Sequence, residues 1–323
     1  MTPAPLRLGT RRSPLAIAQS RTVARALEAA HPGLAVELVP LLTSGDLLPG
    51  DLSARGGKGL FTRELEAGLL DGGLDLAVHS LKDLPAVLPD GLAVAAYPER
   101  ADPRDVLVSE VADALDALPE GAAVLTGALR RRAQLLARRP DLVVRPLRGN
   151  VDTRLRRWRE SGAAAVVLAA AGLERLGLTG FPVHPIPPEL MLPAPGQGTL
   201  AVEVRRGSRA EALCRALDHP PTARAATAER AVVVAFGGDC TLPLAAWARE
   251  ELGGDLRLDA VLASPDGRRS VRGEGTGPAP DEAAAACIAA LRAAGAQELL
   301  AELRRLPPTQ PPSAKRKATV SGT

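Results

Sequence analysis

The same succession of elements occurs twice in this chain, and the repetition restricts the folds it can adopt. The first copy runs from LRLGT (6–10) through Arg11 and Arg12, which precede a helix start at Ser13-Pro14, to VELVPL (36–41). The second runs from AVLTG (123–127) through ALRRRAQLLARRP (128–140) to LVVRPL (142–147). Strand, arginine-bearing helix start and strand in this order predict two similar α/β lobes. Lobes that face each other would place Arg11 and the pair Arg130–Arg131 on opposite walls of one cleft.

A second constraint is the stretch LDLAVHSLKDLP (74–85). Its apolar residues alternate as in a short buried strand, and Pro85 ends any further pairing. Lys82 and Asp83 therefore stand at the carboxyl end of a strand, where open α/β sheets usually place their chemistry. The alternative interpretation is an ordinary surface ion pair.

Lysine usage favours a function for Lys82. The chain has 40 basic residues, and only four are lysines, namely Lys58, Lys82, Lys315 and Lys317. An ammonium is more compact than a guanidinium and its pKa shifts more readily, so an isolated lysine indicates a place that arginine cannot fill. Lys58 lies in TSGDLLPGDLSARGGKG (43–59), a long glycine-rich loop that we interpret as a lid.

Composition excludes several classes of partner. Aromatic residues make up only 2% of the chain, too few for a nucleic-acid stacking surface. Clustered arginines in a chain of net charge +3 instead favour a small polyanionic ligand bound through its carboxylates. No apolar run is long enough to span a membrane, and the N-terminal residues lack a signal-peptide pattern. We expect a cytoplasmic protein that binds neither nucleic acid nor membrane.

The three cysteines differ in context. Cys214 and Cys287 lie in Ala/Leu helical patterns and are predicted to be buried. Cys240 follows Gly-Gly-Asp in a loop and is the candidate nucleophile. No CxxC pair is present and the four histidines lack metal-ligand spacing, so no metal site is predicted.

The pattern predicts three domains. The first combines residues 1–98 with 195–216, because the strand after the hinge-like PAPGQG (193–198) could return to the first lobe. The second spans 99–194. The third, 217–306, is a small α+β domain with an antiparallel meander closed by a helix from about Asp281 to Arg305. Residues 307–323 have no apolar pattern and are predicted to be disordered.

These motifs together resemble the hydroxymethylbilane synthase family, also called porphobilinogen deaminase. The resemblance covers roughly the first 300 residues and rests on the order and spacing of eight segments: TRRSPLA (10–16), GGKGLF (56–61), AVHSLKDLP (77–85), ERADPRD (99–105), LRGNVDTRL (147–155), AAGLERLGL (170–178), LPAPGQG (192–198) and ATAERA (226–231).

The resemblance implies a monomeric three-domain enzyme whose two lobes are similar to type II solute-binding proteins. Such enzymes join four porphobilinogen molecules head to tail in tetrapyrrole biosynthesis and release ammonia each time. A dipyrromethane cofactor, attached through a thioether to a cysteine of the third domain, primes the growing chain.

The resemblance also assigns roles residue by residue. Cys240 matches the attachment site, and Asp83 matches the catalytic carboxylate, which also contacts the cofactor. The remaining matches are cofactor-binding Lys82, Arg130 and Arg131, substrate-binding Arg11, Ser13, Arg148, Arg154 and Arg175, and Lys58 in the flexible loop. The six arginines match positions that bind acetate and propionate groups.

The sequence departs from the family pattern at five positions. Gly127 and Ala128 replace paired serines, Ala54 replaces a loop lysine, Asp152 stands where a small residue is common, and Asp239 directly precedes Cys240. Two alternatives to the enzyme therefore stay open. One is a two-lobed anion- or solute-binding module, and the other is a homologue of low activity.

Overall fold

The computed structural model describes residues 4–44, 62–237 and 242–305. Within them lie thirteen strands: β1 Leu6–Arg11, β2 Val36–Leu41, β3 Leu76–Ser80, β4 Leu92–Ala96, β5 Asp105–Val108, β6 Ala123–Leu125, β7 Val143–Arg145, β8 Ala165–Ala169, β9 Val183–Pro185, β10 Leu200–Arg205, β11 Leu244–Glu250, β12 Leu256–Ala263 and β13 Ser270–Gly277. Nine α-helices accompany them in this part of the chain: α1 Pro14–Ala30, α2 Arg63–Leu70, α3 Leu129–Arg138, α4 Val151–Ser161, α5 Ala170–Arg175, α6 Arg209–Cys214, α7 Pro220–Phe236, α8 Pro280–Ala293 and α9 Ala296–Arg305.

Two five-stranded sheets have the same internal arrangement. The first has the order β2-β1-β3-β10-β4 and the second has the order β7-β6-β8-β5-β9. In each sheet the fourth strand runs antiparallel to both of its neighbours, whereas the first three run parallel to one another. The prediction of two similar α/β lobes is therefore confirmed, and β1-α1-β2 corresponds to β6-α3-β7.

The chain passes between the lobes twice. A first crossover (97–104) leads from β4 into β5, and a second crossover (186–199) leads from β9 back into β10. β10 pairs with β3 and β4, so the strand after PAPGQG lies in the first sheet. The exact domain boundaries stay a prediction.

Local sequence explains where the first lobe's helix begins. Ser13 is the N-cap of α1, its hydroxyl accepts a hydrogen bond from the Ala16 amide at 3.3 Å, and Pro14 occupies the first helical position. The buried face of α1 includes Val23 and Leu27, which pack with β1, β3 and β10 in the core of the first lobe. The helix start predicted at Ser13-Pro14 is confirmed.

The third domain is an antiparallel sheet, β11-β12-β13, covered by α7, α8 and α9. Cys287 is buried in this core, and Cys214 is buried in the first lobe, as predicted. The single long helix predicted from Asp281 to Arg305 is wrong, because α8 ends at Ala293 and α9 begins at Ala296 with a bend of 70°. Gly295 has φ +91°, a conformation that ends a helix at little steric cost.

A helix that spans a membrane has to be both long and apolar. Across the described ranges, no single helix has both the length and the apolar character to cross a membrane. The bent pair α8–α9 meets those criteria only when its two helices are taken together.

Glu229 of α7 connects the third domain to both crossovers. Its carboxylate is fully buried and accepts two hydrogen bonds from Arg100 of the first crossover, at 2.7 and 3.1 Å. It also accepts from the Gly196 amide of the second crossover at 2.5 Å and from the Ala248 amide of β11 at 2.8 Å. One buried carboxylate therefore joins three segments that are far apart in sequence.

Replacing Arg100 tests the weight of this junction. R100L leaves a buried carboxylate without its charged partner, which typically costs about 3–5 kcal/mol of unfolding free energy. The control R156A removes an exposed pair with Glu160, where both side chains are more than half exposed, and such pairs contribute about 0–1 kcal/mol. Thermal and urea unfolding measure the unfolding free energy of both variants and of the unsubstituted protein. Equal stabilities of R100L and R156A would contradict the structural role of the junction.

Candidate functional site

Lys82 and Asp83 lie where β3 ends, on a one-turn 3-10 helix formed by Leu81–Asp83. Leu81 and Leu84 are buried on either side of the turn and fix it against the first lobe. The turn exposes Asp83, whose carboxylate makes no hydrogen bond or ion pair with another described residue. Lys82 and Asp83 therefore follow the end of a strand, as the sequence predicted, and Asp83 is exposed.

The ammonium of Lys82 points the other way, into the protein. It donates to the side-chain oxygen of Gln197 in the second crossover at 3.2 Å. Burial lowers the pKa of Lys82 to about 8, and the nearby carboxylates of Asp83 and Asp105 oppose that decrease. Near neutral pH the group is therefore charged but close to its titration range.

Arg130 and Arg131 stand at the start of α3 and clamp one buried acid. Asp105, the first residue of β5, accepts from Arg130 at 2.7 Å and from Arg131 at 2.9 Å. Arg130 also donates to the Leu192 carbonyl, and Arg131 also donates to the Val167 carbonyl. Both predicted cofactor-binding arginines thus have a structural role that the sequence did not reveal.

Arg154 connects the second lobe to Asp83 electrostatically. It lies in the first turn of α4, and its Nε donates to the Gly149 carbonyl at 2.7 Å. Burial lowers its pKa to about 10, the positive charges of Arg131 and Arg148 add to the decrease, and the charge of Asp83 opposes it. Lys82 of the first lobe and Arg154 of the second lobe therefore both interact with the charge of Asp83.

The other predicted substrate residues lie at element ends. Arg11 is the last residue of β1 and Ser13 caps α1. Arg148, between β7 and α4, is exposed. Arg175 ends α5 and donates to the Gly198 carbonyl of the second crossover at 2.6 Å, and burial lowers its pKa.

Among the described residues, this environment has an excess of positive charge. Two carboxylates, Asp83 and Asp105, interact with four basic groups: Lys82, Arg130, Arg131 and Arg154. Helices α3 and α4 also begin without a side-chain cap, which leaves N–H groups at their N-termini. Such a set suits a ligand with several carboxylates. No cluster of metal-ligating side chains occurs in the described ranges.

Sequence reasoning missed the acceptors that organise these cations. Asp105 and Gln197 lie in the segments ERADPRD and LPAPGQG, but the sequence predicted no role for them. No local pattern identifies a residue as the hydrogen-bond partner of another residue that is distant in sequence. Gly127 stands where the family pattern has a serine. The structure adds a steric reason for it, since a Cβ at this position would lie 2.4 Å from the Leu147 carbonyl oxygen.

Two predicted functional residues, Cys240 and Lys58, lie outside the described residues, as do Ala54, Asp239 and the tail 307–323. The other two cysteines are poor candidates for the nucleophile. Burial raises the pKa of Cys214 and of Cys287 to about 12, which disfavours the reactive thiolate.

Comparison with protein families gives two matches along the chain. Residues 6–212 match the model described as "Porphobilinogen deaminase, dipyromethane cofactor binding domain". Residues 223–294 match "Porphobilinogen deaminase, C-terminal domain". The first match contains both lobes and the second contains most of the third domain.

Solved structures similar to this chain are more distant. A periplasmic substrate-binding protein of an ABC transporter from Coxiella burnetii is 17% identical, with 68% of this chain and 94% of that chain covered and a TM-score of 0.41. The aliphatic sulphonate binding protein SsuA from Escherichia coli is 15% identical, with coverages of 63% and 66% and a TM-score of 0.36.

The acid that holds Arg130 and Arg131 makes a pH-dependent contribution to stability. Burial alone would raise the pKa of Asp105, but the two guanidinium groups outweigh it and hold that pKa far below its usual range. An acid with a depressed folded-state pKa stabilises the protein above the unfolded-state value of about 4, and this stabilisation decreases as the pH falls below it.

We expect D105N to lose stability at pH 7, by about 3–5 kcal/mol, because two buried arginines lose their counter-charge. The difference from the unsubstituted protein should narrow at pH 3. Urea unfolding at both pH values measures it. The control D116N removes an exposed ion pair with Arg138 and should change little. A D105N deficit that widens at pH 3 would contradict the assignment.

Proposed function

The chain belongs to the porphobilinogen deaminase family, and we propose that it is an active hydroxymethylbilane synthase. The family comprises transferases of tetrapyrrole synthesis that use porphobilinogen and a dipyrromethane cofactor. Our proposal is the specific reaction: head-to-tail condensation of four porphobilinogen molecules, with one ammonia released for each. The observation that supports it best is the exposed Asp83 carboxylate beside a set of inward-facing cations from both lobes.

The residues present fit the family's cofactor. When bound, dipyrromethane supplies the pyrrole to which the first substrate is joined. We propose that Cys240 carries it through a thioether and that Lys82, Arg130 and Arg131 neutralise its carboxylates. The excess of basic over acidic groups around Asp83 among the described residues supports this, because an acidic site would repel a ligand with two carboxylates on each pyrrole and a neutral site would leave its charge uncompensated.

Asp83 is the proposed catalytic residue. A carboxylate can accept hydrogen bonds from pyrrole N–H groups and stabilise the positive charge that develops on the substrate as ammonia leaves. Asp83 suits this role because it makes no hydrogen bond with another described side chain. Its place at a fixed strand end means that little reorganisation is needed when charge develops.

The remaining predicted residues would bind the substrate and the growing chain. Arg11 and Ser13 come from the first lobe, and Arg148, Arg154 and Arg175 come from the second. Side chains of both lobes can thus hold the acetate and propionate groups while Asp83 acts on the ring. Lys58 is the proposed loop contact. Monomeric, cytoplasmic action without nucleic acid or membrane is part of the same proposal.

Asp83→Asn tests the mechanism. The amide keeps the size of the side chain but removes its charge, and we expect turnover of porphobilinogen to fall by about 10²-fold or more. The control D90N neutralises another exposed aspartate, in the turn before β4, and should retain activity. Ammonia release and product formation in steady state are the measurements, with circular dichroism to verify folding.

The outcomes separate the alternatives. Substantial turnover in D83N would remove Asp83 from the catalytic role. An unsubstituted protein that gains a covalent pyrrole adduct yet releases almost no ammonia would be a homologue of low activity. One that binds porphobilinogen without either adduct or ammonia would be a two-lobed binding module.

A further inference from the structure

Gln197 of the second crossover lies between Lys82 of the first lobe and Asp105 of the second lobe. Its side chain is almost fully buried, with 1% exposure. The amide nitrogen donates to the Pro103 carbonyl and to the Asp105 carboxylate, each at 2.8 Å. The amide oxygen accepts from the Lys82 ammonium at 3.2 Å. Both hydrogens of the side-chain amide therefore have an acceptor, and its oxygen accepts from one lysine.

The orientation of this amide is determined by its neighbours. A backbone carbonyl and an ionised carboxylate can only accept hydrogen bonds, so the amide nitrogen has to face Pro103 and Asp105. The oxygen then has to face Lys82, which can only donate. A flipped amide would bring acceptor against acceptor and donor against donor.

The backbone of Gln197 is held as firmly as its side chain. Its carbonyl accepts from Nε of Arg100 at 2.9 Å, and Arg100 is paired with the buried Glu229. Its amide donates to the Ala194 carbonyl at 2.9 Å. The oxygen that meets Lys82 is thus fixed by contacts to both crossovers and, through Glu229, to the third domain.

The surroundings of Lys82 show what this oxygen prevents. The charged groups that act on its ammonium are Asp83, Asp105, Arg130 and Arg131. Asp105 already accepts from both arginines and from Gln197. Asp83 is adjacent in sequence and makes no hydrogen bond with another described residue. Replacement of Gln197 takes one donor from Asp105 but leaves it paired with both arginines. We therefore expect the ammonium to turn to Asp83 when the amide oxygen is absent.

We propose that Gln197 is a positioning residue that holds the Lys82 ammonium away from Asp83, so that the Asp83 carboxylate stays available to the cleft. The catalytic consequence rests on the proposed function of Asp83, but the positioning itself does not. An ion pair between Lys82 and Asp83 would neutralise the acid that has to stabilise developing positive charge. Gln197 keeps these neighbouring opposite charges apart by offering the ammonium a neutral acceptor.

The titration of Lys82 reports this directly. The chain has only four lysines, so ¹³C-methylation of the lysine amines of the full chain gives few NMR signals, and K82R assigns the one of interest. In the unsubstituted protein we expect a pKa of about 8 for Lys82. In Q197M the ammonium pairs with Asp83, and we expect its pKa to rise by at least one unit toward the ordinary value of 10.5.

Two further variants separate positioning from a general structural effect. Q134M replaces another buried glutamine. The side-chain amide of Gln134 donates to the Leu192 carbonyl and accepts from the Leu192 amide in the second crossover, and it does not contact Lys82. Q134M should leave the Lys82 signal unchanged. In the double variant Q197M/D83N the carboxylate is gone, and the increase in pKa should be lost.

The result that overturns the proposal is an unchanged or lower pKa of Lys82 in folded Q197M. An increase that Q134M reproduces, or that persists in Q197M/D83N, overturns it equally. Turnover is a separate measurement: if the unsubstituted protein condenses porphobilinogen, kcat of Q197M should fall at least tenfold and that of Q134M should not. Absence of turnover in the unsubstituted protein would refute the proposed function, while the Lys82 titration would still decide this inference.

Discussion

The organisation of this molecule depends on the burial of Asp105 among two arginines and a glutamine. A carboxylate without solvent is costly unless its charge is balanced and its oxygens accept hydrogen bonds. Arg130, Arg131 and Gln197 meet both conditions. They come from α3 and from the second crossover, so satisfying one acid fixes the start of a helix, the first strand of the second lobe and the return path to the first lobe.

The same principle extends to the third domain. Glu229 is buried and accepts hydrogen bonds from both crossovers and from β11. Each of the two segments that connect the lobes is therefore hydrogen-bonded to this buried carboxylate. Gln197 connects the two networks, because its side chain meets Asp105 and its backbone meets Arg100. Lys82 is attached to this framework through one neutral oxygen, and Asp83 is left facing outward. The distribution of charge around Asp83 is thus a consequence of how the buried charges are paired.

Local signals in the sequence predicted much of this fold and less of its site. The helix start at Ser13-Pro14 and the strand Val36–Leu41 depend on capping and alternation, which neighbouring residues determine. The placement of Lys82 and Asp83 at the end of a strand followed in the same way. The break at Gly295 was missed because alanine-rich sequence on both sides favours helix, whereas the pairing of Arg130 and Arg131 with Asp105 depends on contacts between distant segments.

The most direct test of the account is the intact mass of the purified full-length protein beside its C240S variant. The account predicts that the unsubstituted protein carries an excess equal to two linked pyrrole units, that C240S lacks it, and that C214S and C287S retain it. An unsubstituted protein that has no excess mass, and gains none on incubation with porphobilinogen, would contradict the proposal that Cys240 carries a covalently attached primer.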